Sequence, residues 1–240
     1  QGVSLTELPK LSQIISGKND KAKIESGKIF KKVCKKIIYT KIIEAELIKL
    51  FSNAYRYINF SISNQFYMMC ENLNLDFNKI RKMMIQGYER NTNIPKSGFT
   101  AGPCLLKDTI QLSHFFKHKF PLGKSAMIIN EGLPKFLITN LKKTINLKTK
   151  TIGVMGLAFK AETDDLRDSL SVKLVEYLKK NKYKFYISDE YYKGEEIVSK
   201  KKLIQNSDII IIATPHKSYK KIKFPKEKIV IDIWGIYKKW

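Results

Sequence analysis

The feature that most constrains this chain is an unbroken stretch from Ile42 to about Leu73 that contains neither Pro nor Gly. Along it Leu47, Leu50, Phe51, Ala54, Ile58, Ile62, Phe66 and Met69 recur at three- and four-residue steps. That period puts side chains on one stripe of an α-helix and does not fit the two-residue alternation of a strand. The stretch therefore predicts one long helix with a single apolar face.

The segments around it are shorter. Over Gly2–Gly17, Leu5, Leu8, Leu11, Ile14 and Ile15 give a brief apolar periodicity. A helix is expected from about Lys21 to Cys34 and a short strand at Lys36–Tyr39, so residues 1–40 read as the end of something larger. Asp76 is placed to cap a helix Phe77–Gln86 that stops near Gly87. Asn91–Cys104, with Pro95, Gly98, Gly102 and Pro103, reads as a loop. Helices follow at Asp108–Phe116 and Lys124–Thr139, the second bent at Gly132-Leu133-Pro134.

The last third changes period. Thr151–Met155, Tyr183–Ile187, Asp208–Ala213 and Lys228–Ile233 read as strands, and Ser171–Lys180 and Glu195–Ile204 as helices. Strand alternating with helix means a parallel sheet with helices packed on it. The fold class is α/β overall: an all-helical central domain over 41–145, then a parallel α/β domain over 146–240.

Composition decides several function classes. The formal net charge is +23, the kind of footprint a nucleic-acid binder carries. The excess is nearly all Lys, however; the arginines are Arg56, Arg81, Arg90 and Arg167. Arg is the usual bidentate reader of bases and phosphates. The lysines are also spread along the chain, so they read as solvated surface and nucleic acid is not an expected partner. Cys34, Cys70 and Cys104 are odd in number and lack CxxC spacing, which suggests neither a disulfide framework nor a zinc site. His114, His118 and His216 are too sparse for a metal cluster. No apolar run approaches the roughly 20 residues of a membrane span, and no signal pattern opens the chain. A cytoplasmic location without membrane contact is the expectation.

Three segments in order carry a resemblance. The first is Ala45-Glu46-Leu47 with Lys49 and Asn53. The second runs from Gly98-Phe99-Thr100-Ala101-Gly102-Pro103 through Cys104-Leu105-Leu106-Lys107-Asp108. The third is Gly156-Leu157-Ala158-Phe159-Lys160, continuing to Thr163-Asp164-Asp165-Leu166-Arg167-Asp168-Ser169. Together they resemble the AEL-x-K-xxx-N helix, the Gly-rich CLxKD loop and the GLxFKxxTDDxRxS signature of the UDP-glucose/GDP-mannose dehydrogenase family. Residues 2–17 are similar to the tail of that family's N-terminal domain, with Ser12 where Pro is usual and Ser16 for one Gly. The resemblance implies three parts: an NAD-binding domain of which 1–40 is the tail, a central helix that makes a homodimer, and a Rossmann-like C-terminal domain for the nucleotide sugar. No G-x-G-x-x-G follows a strand here; Gly153-Val154-Met155-Gly156 lacks the spacing. The NAD site is therefore expected in some 150 further residues, a usual domain length.

The resemblance also implies a chemistry, oxidation of a UDP-sugar C6 alcohol to the acid by two hydride transfers to NAD. Cys104 matches the nucleophile, which holds the aldehyde covalently and carries it to a thioester. On local residues alone, a Cys beside Pro103 reads equally as a buried structural thiol. Lys107, Lys49 and a helix starting near Asp108 are candidate sources of positive potential for it. Lys49 and Asn53, four apart on one helix face, match donors for the developing oxyanion. Asp108 matches a base or water-orienting carboxylate; by its residue type it is equally a helix N-cap.

For substrate, the resemblance points to Lys96, Ser97, Gly98, Phe99 and Gly102 on the loop. It adds Phe159 and Lys160 past the first strand of the sheet, and Arg90 as the nearest stand-in for an Arg sent across the dimer. Arg167 with Asp164 and Asp165 reads as a structural charge network, Asp189 as a ribose contact or a turn residue, and Trp234 as standing where an Arg is usual. A second reading is a non-catalytic protein that dimerises or binds UDP-sugar without the NAD domain.

Overall fold

The apolar stripe forms one helix in the computed structural model, which describes residues 4–100 and 102–237. Gly2 of the N-terminal motif and Ala101 of the loop lie outside the described residues. Ahead of the long helix stands a small parallel unit: α1 (Ser4–Glu7), β1 (Gln13–Ile15), α2 (Asp20–Lys31) and β2 (Ile37–Tyr39). β1 pairs with β2 in parallel, Ile14 opposite Ile38. Ile14 and Ile15 therefore do not continue a helical periodicity; the strand sends Ile15 inward and leaves Ile14 exposed. α2 starts where the Asn19 side chain accepts the Ala22 N–H at 2.8 Å. It ends at Lys31, short of the expected Cys34.

The central region is helical: α3 (Ile42–Asn72), α4 (Phe77–Ile85), α5 (Pro103–Phe115) and α6 (Pro121–Leu141). At 31 residues, α3 is about 46 Å long. α5 and α6 both pack along it. Leu50 and Ala54 bury against Leu112 of α5, and Tyr57 against Leu105 and Ala126. The expected single apolar face divides in two. Leu50, Ala54, Tyr57, Asn64 and Tyr67 point into the chain, while Phe51, Tyr55, Ile62, Phe66, Met69 and Leu73 remain exposed. The three- and four-residue steps were right for a helix, but they do not separate side chains about 100° apart around its axis.

Two helix starts in this central region differ from expectation. α5 begins at Pro103 rather than Asp108, because Gly102 takes the N-cap position and Pro supplies a pre-set φ at the first helical turn, where its missing N–H costs nothing. α6 begins at Pro121 for the same reason and runs through Pro134 to Leu141.

The last third is β3 (Thr151–Met155), α7 (Leu170–Lys180), β4 (Lys184–Ser188), α8 (Lys200–Asn206), β5 (Ile209–Ile212) and β6 (Ile229–Asp232). Among the described residues the strand order is β4-β3-β5-β6 and each pairing is parallel. Ile209, Ile210, Ile211 and Ile212 are all fully buried, as a strand covered on both faces requires. α8 is shorter than the expected Glu195–Ile204. Ser199 caps it by accepting the Lys202 N–H at 3.2 Å, and Ile197 instead bridges to Ile187 beside β4. The order places a crevice at the C-terminal ends of β3 and β5, where the chain switches direction across the sheet.

Candidate active site

Asp108 is the point where distant parts of the sequence meet. The Lys49 ammonium lies 2.9 Å from Oδ1 and 2.8 Å from Oδ2 of Asp108. The Asn53 amide donates to Oδ2 at 2.6 Å. The Asp108 side chain is 2% exposed and that of Lys49 62%. A carboxylate this buried is tolerated only with such partners. Lys49 and Asn53 are one turn apart on α3, so a single helix face delivers both donors. Because α5 starts at Pro103, Asp108 sits in its second turn and is not an N-cap; its oxygens serve α3 instead.

Cys104 lies one turn before Asp108 on the same face of α5. It is exposed, whereas Cys34 and Cys70 are buried. Its place in the first helical turn, among N–H groups without helical acceptors, favours anionic species. Gly102 has φ +113° and a Cβ there would lie 2.7 Å from the Phe159 ring. Phe159 from the sheet domain thus stands against the turn that leads into Cys104. Its own N–H is fixed by the Asp165 carbonyl at 3.0 Å. Lys160 and Lys107 are exposed.

Arg167 pairs with Asp165 through Nε and Nη2, the latter at 2.6 Å. Of the charge network read from the sequence, the Arg167–Asp165 pair is present; among the described residues no hydrogen bond or ion pair joins Asp164 to it. The Arg167 guanidinium is held above the ordinary value first by the Asp165 hydrogen bond and charge, with the Cys104 sulfur and Asp168 among the lesser causes.

The loop before α5 is clamped from both domains. Arg81 donates from Nε to the Ile94 and Pro95 carbonyls at 2.9 Å each. Ser97 Oγ donates to the Ile233 carbonyl at 2.6 Å and is fully buried. Phe99 is buried in the main core. The Gly98 N–H is bound by Asn64 Oδ1 at 2.8 Å. The Trp234 ring lies 2.4 Å from where a Gly98 Cβ would be, and its indole N–H donates to the Ala213 carbonyl at 2.9 Å. The Ser97 and Phe99 side chains and the Gly98 amide are therefore already committed to partners within the chain. Lys96 reaches the Gly235 carbonyl at 3.4 Å; burial, then Lys220 and Arg81, hold its ammonium below the ordinary value. Arg90 sits exposed on the turn Glu89–Asn91. Among the described residues no hydrogen bond or ion pair joins it to the Cys104 cluster. Asn64 and Asn130 had no place in the sequence reading; an Asn inside a helix gives no sign of whether it is buried.

Two models of the UDP-glucose/GDP-mannose dehydrogenase family match this chain, the central domain over residues 43–132 and the UDP binding domain over residues 153–239. The chain belongs to the UDP-glucose/GDP-mannose dehydrogenase family. It is 30% identical to the UDP-N-acetyl-D-mannosamine dehydrogenase of Pyrococcus horikoshii over 97% of this chain and 58% of that protein. It is 27% identical to the protein of that name in Methanocaldococcus jannaschii over 95% of this chain and 53% of the other. The solved structure of the UDP-D-ManNAc dehydrogenase from Pyrococcus horikoshii superposes with a TM-score of 0.88 at 30% identity, covering 99% of this chain and 59% of that one. The chain thus spans between half and three-fifths of the length of these relatives.

Within this dehydrogenase-family chain the end of β3 does not fit a dinucleotide. The Leu157 and Ala158 N–H groups, which in a phosphate cradle would face an anion, donate to Asp189 Oδ2 at 2.6 and 3.4 Å. The other oxygen takes the Tyr191 and Tyr192 N–H groups at 2.8 and 2.9 Å. Burial opposes this charge, but the His216 imidazole, its Nε2 3.5 Å from Oδ2, and the Leu157, Tyr192 and Tyr191 amides outweigh it and hold the carboxyl well below the usual carboxylate range. Asp189 is a loop staple, the turn role among the two expected for it. Gly153 and Gly156 are likewise occupied: Leu203 crowds the first and Thr214 the second.

Proposed function

We propose that this chain carries the nucleophile and nucleotide-sugar half of an NAD-dependent UDP-sugar 6-dehydrogenase. The carrying observation is that Lys49, Asn53 and Asp108 converge one helical turn from an exposed Cys104. In this reading the Cys104 sulfur forms a bond to the C6 aldehyde carbon, and the carbonyl oxygen takes up the charge as a thiohemiacetal oxyanion. Lys49 and Asn53 donate to that oxygen. Once C6 has been oxidised to the thioester, Asp108 takes a proton from a water that attacks C6, the C–S bond breaks and the uronic acid leaves. NAD is the hydride acceptor implied by the family, and since the β3 turn does not fit it, no step is assigned to it on these residues.

Lys96 and Lys160 are the cations proposed for the diphosphate and Arg90 the one proposed to reach the sugar across the dimer, with Phe159 and the Gly102 turn against the sugar and Ser97, Gly98 and Phe99 as the wall behind. The names of the relatives above make a UDP-N-acetylhexosamine the first substrate to test. The proposed domains remain 1–40, 41–145 and 146–240. Exposed Ile24, Ile29, Phe30 and Val33 on and just past α2 support further structure packing on the β1–α2–β2 unit. The exposed stripe from Phe51 to Met69 on α3, with Leu73 just past its end, supports a homodimer through that helix.

Titration calorimetry with UDP-N-acetylmannosamine, UDP-glucose and GDP-mannose tests the reading. Saturable binding of at least one UDP-sugar is expected; no heat and no thermal shift with any of them overturns it.

A further inference from the structure

Two buried amides join the long helix to the loop that leads to Cys104. Asn64 on α3 and Asn130 on α6 are both fully buried. Asn130 Nδ2 donates to the Tyr57 carbonyl at 3.1 Å, so its Oδ1 must face the other way. There it accepts Asn64 Nδ2 at 2.8 Å. That leaves Asn64 Oδ1 to accept the Gly98 N–H, also at 2.8 Å. Each amide fixes the orientation of the next, and the last bond in the series sets the height of one loop peptide. Gly98 cannot shift to find another partner: its φ is +149° and Trp234 fills the space beside its Cα. Asn64 lies eleven residues after Asn53, about three helical turns, and so on nearly the same face of α3. One helix face thus carries both the donors at Asp108 and the anchor of the loop.

We propose that Asn64, oriented by Asn130, is a positioning residue that sets the substrate loop from Gly98 to Cys104 in register with Lys49, Asn53 and Asp108. It acts through the Gly98 peptide and does not touch substrate. The inference rests on the proposed nucleotide-sugar site.

The test compares the chain with Asn64→Leu and Asn64→Asp. UDP-N-acetylmannosamine and UDP-glucose are titrated calorimetrically, and thiol alkylation is followed residue by residue. Buried Cys34 and Cys70 report in the same sample that the fold is intact. Asn64→Leu leaves the Gly98 N–H and Asn130 Oδ1 without partners, and UDP-sugar binding is expected to weaken roughly tenfold or more while Cys34 and Cys70 stay protected. In Asn64→Asp the neutral acid reproduces the amide, accepting from Gly98 and donating to Asn130 Oδ1.

Binding by Asn64→Asp is therefore expected to match the unaltered chain near pH 5, about where a buried carboxyl keeps its proton, and to fall as pH rises and the proton is lost. The titratable groups this network reaches are Tyr57 and Glu131, hydrogen-bonded to each other at 3.0 Å, and Lys173, ion-paired with Glu131; the unaltered chain, titrated in parallel, carries the same groups. If Asn64→Leu fails to fold, the pH profile of Asn64→Asp decides. A folded Asn64→Leu that binds like the unaltered chain overturns the inference alone, as does an Asn64→Asp profile no different from the unaltered one. No binding by the unaltered chain overturns the functional reading and this inference with it.

Discussion

The donors to Asp108 are unequal, and burial says which matters more for stability. Lys49 is largely exposed, so water replaces much of what it gives and its pair contributes about 1 kcal/mol or less. Asn53 donates a 2.6 Å bond to a buried oxygen. Asn53→Leu is expected to cost about 1–3 kcal/mol, and Lys49→Met less, in urea unfolding. Equal costs would contradict this ranking. Asp189 gives a pH prediction. Its folded-state pKa is depressed from the ordinary 3.8, so its contribution is fully present above that value and is lost as pH falls through the folded one. Asp189→Asn should therefore lower stability at neutral pH and flatten the loss of stability below about pH 4. Cys104, Lys49, Asn53 and Asp108 were legible because their spacing matched a motif. The buried hydrogen bonds of Asn64 and Asn130 were not, because a buried amide and a surface one are the same letter.

At the scale of elements, the decisive local event is the start of α5. In the sequence Gly102-Pro103 has the composition of loop punctuation, yet Gly before Pro is also an N-cap followed by the first helical residue. Taken as loop, it displaces the helix start to Asp108 and leaves Cys104 outside the helix. Gly102→Ala tests the turn. It forces a side chain into φ +113° and against the Phe159 ring, at a cost of about 2 kcal/mol or more. A thermal melt is expected to show the loss together with altered Cys104 alkylation; an unchanged melt would contradict the close contact. The parallel sheet was legible because strands alternate with helices over the last third, and the burial of Ile209–Ile212 on both faces agrees with it. α8 was less so: Ser199 as a cap and Ile197 as an edge bridge depend on β4 lying alongside. In the β1–α2–β2 unit the helix and the second strand were legible, but β1, only three residues long, was hidden in the apolar periodicity of Leu5 to Ile15.

For the whole molecule, α3 works on two faces. One holds the site, and the other presents Phe51, Tyr55, Ile62, Phe66 and Met69, with Leu73 just past the helix end, to solvent in a single chain. Phe66→Glu is expected to shift sedimentation from dimer toward monomer with the fold retained; a chain that is monomeric without any substitution would remove the proposal. The central claim is that Cys104 stands in a nucleotide-sugar site, and differential alkylation with mass spectrometry addresses it most directly. Cys104 is expected to react faster than Cys34 and Cys70, and saturating UDP-sugar to slow Cys104 alone. Equal rates for the three thiols, or a Cys104 rate unchanged by every UDP-sugar tried, would contradict the account.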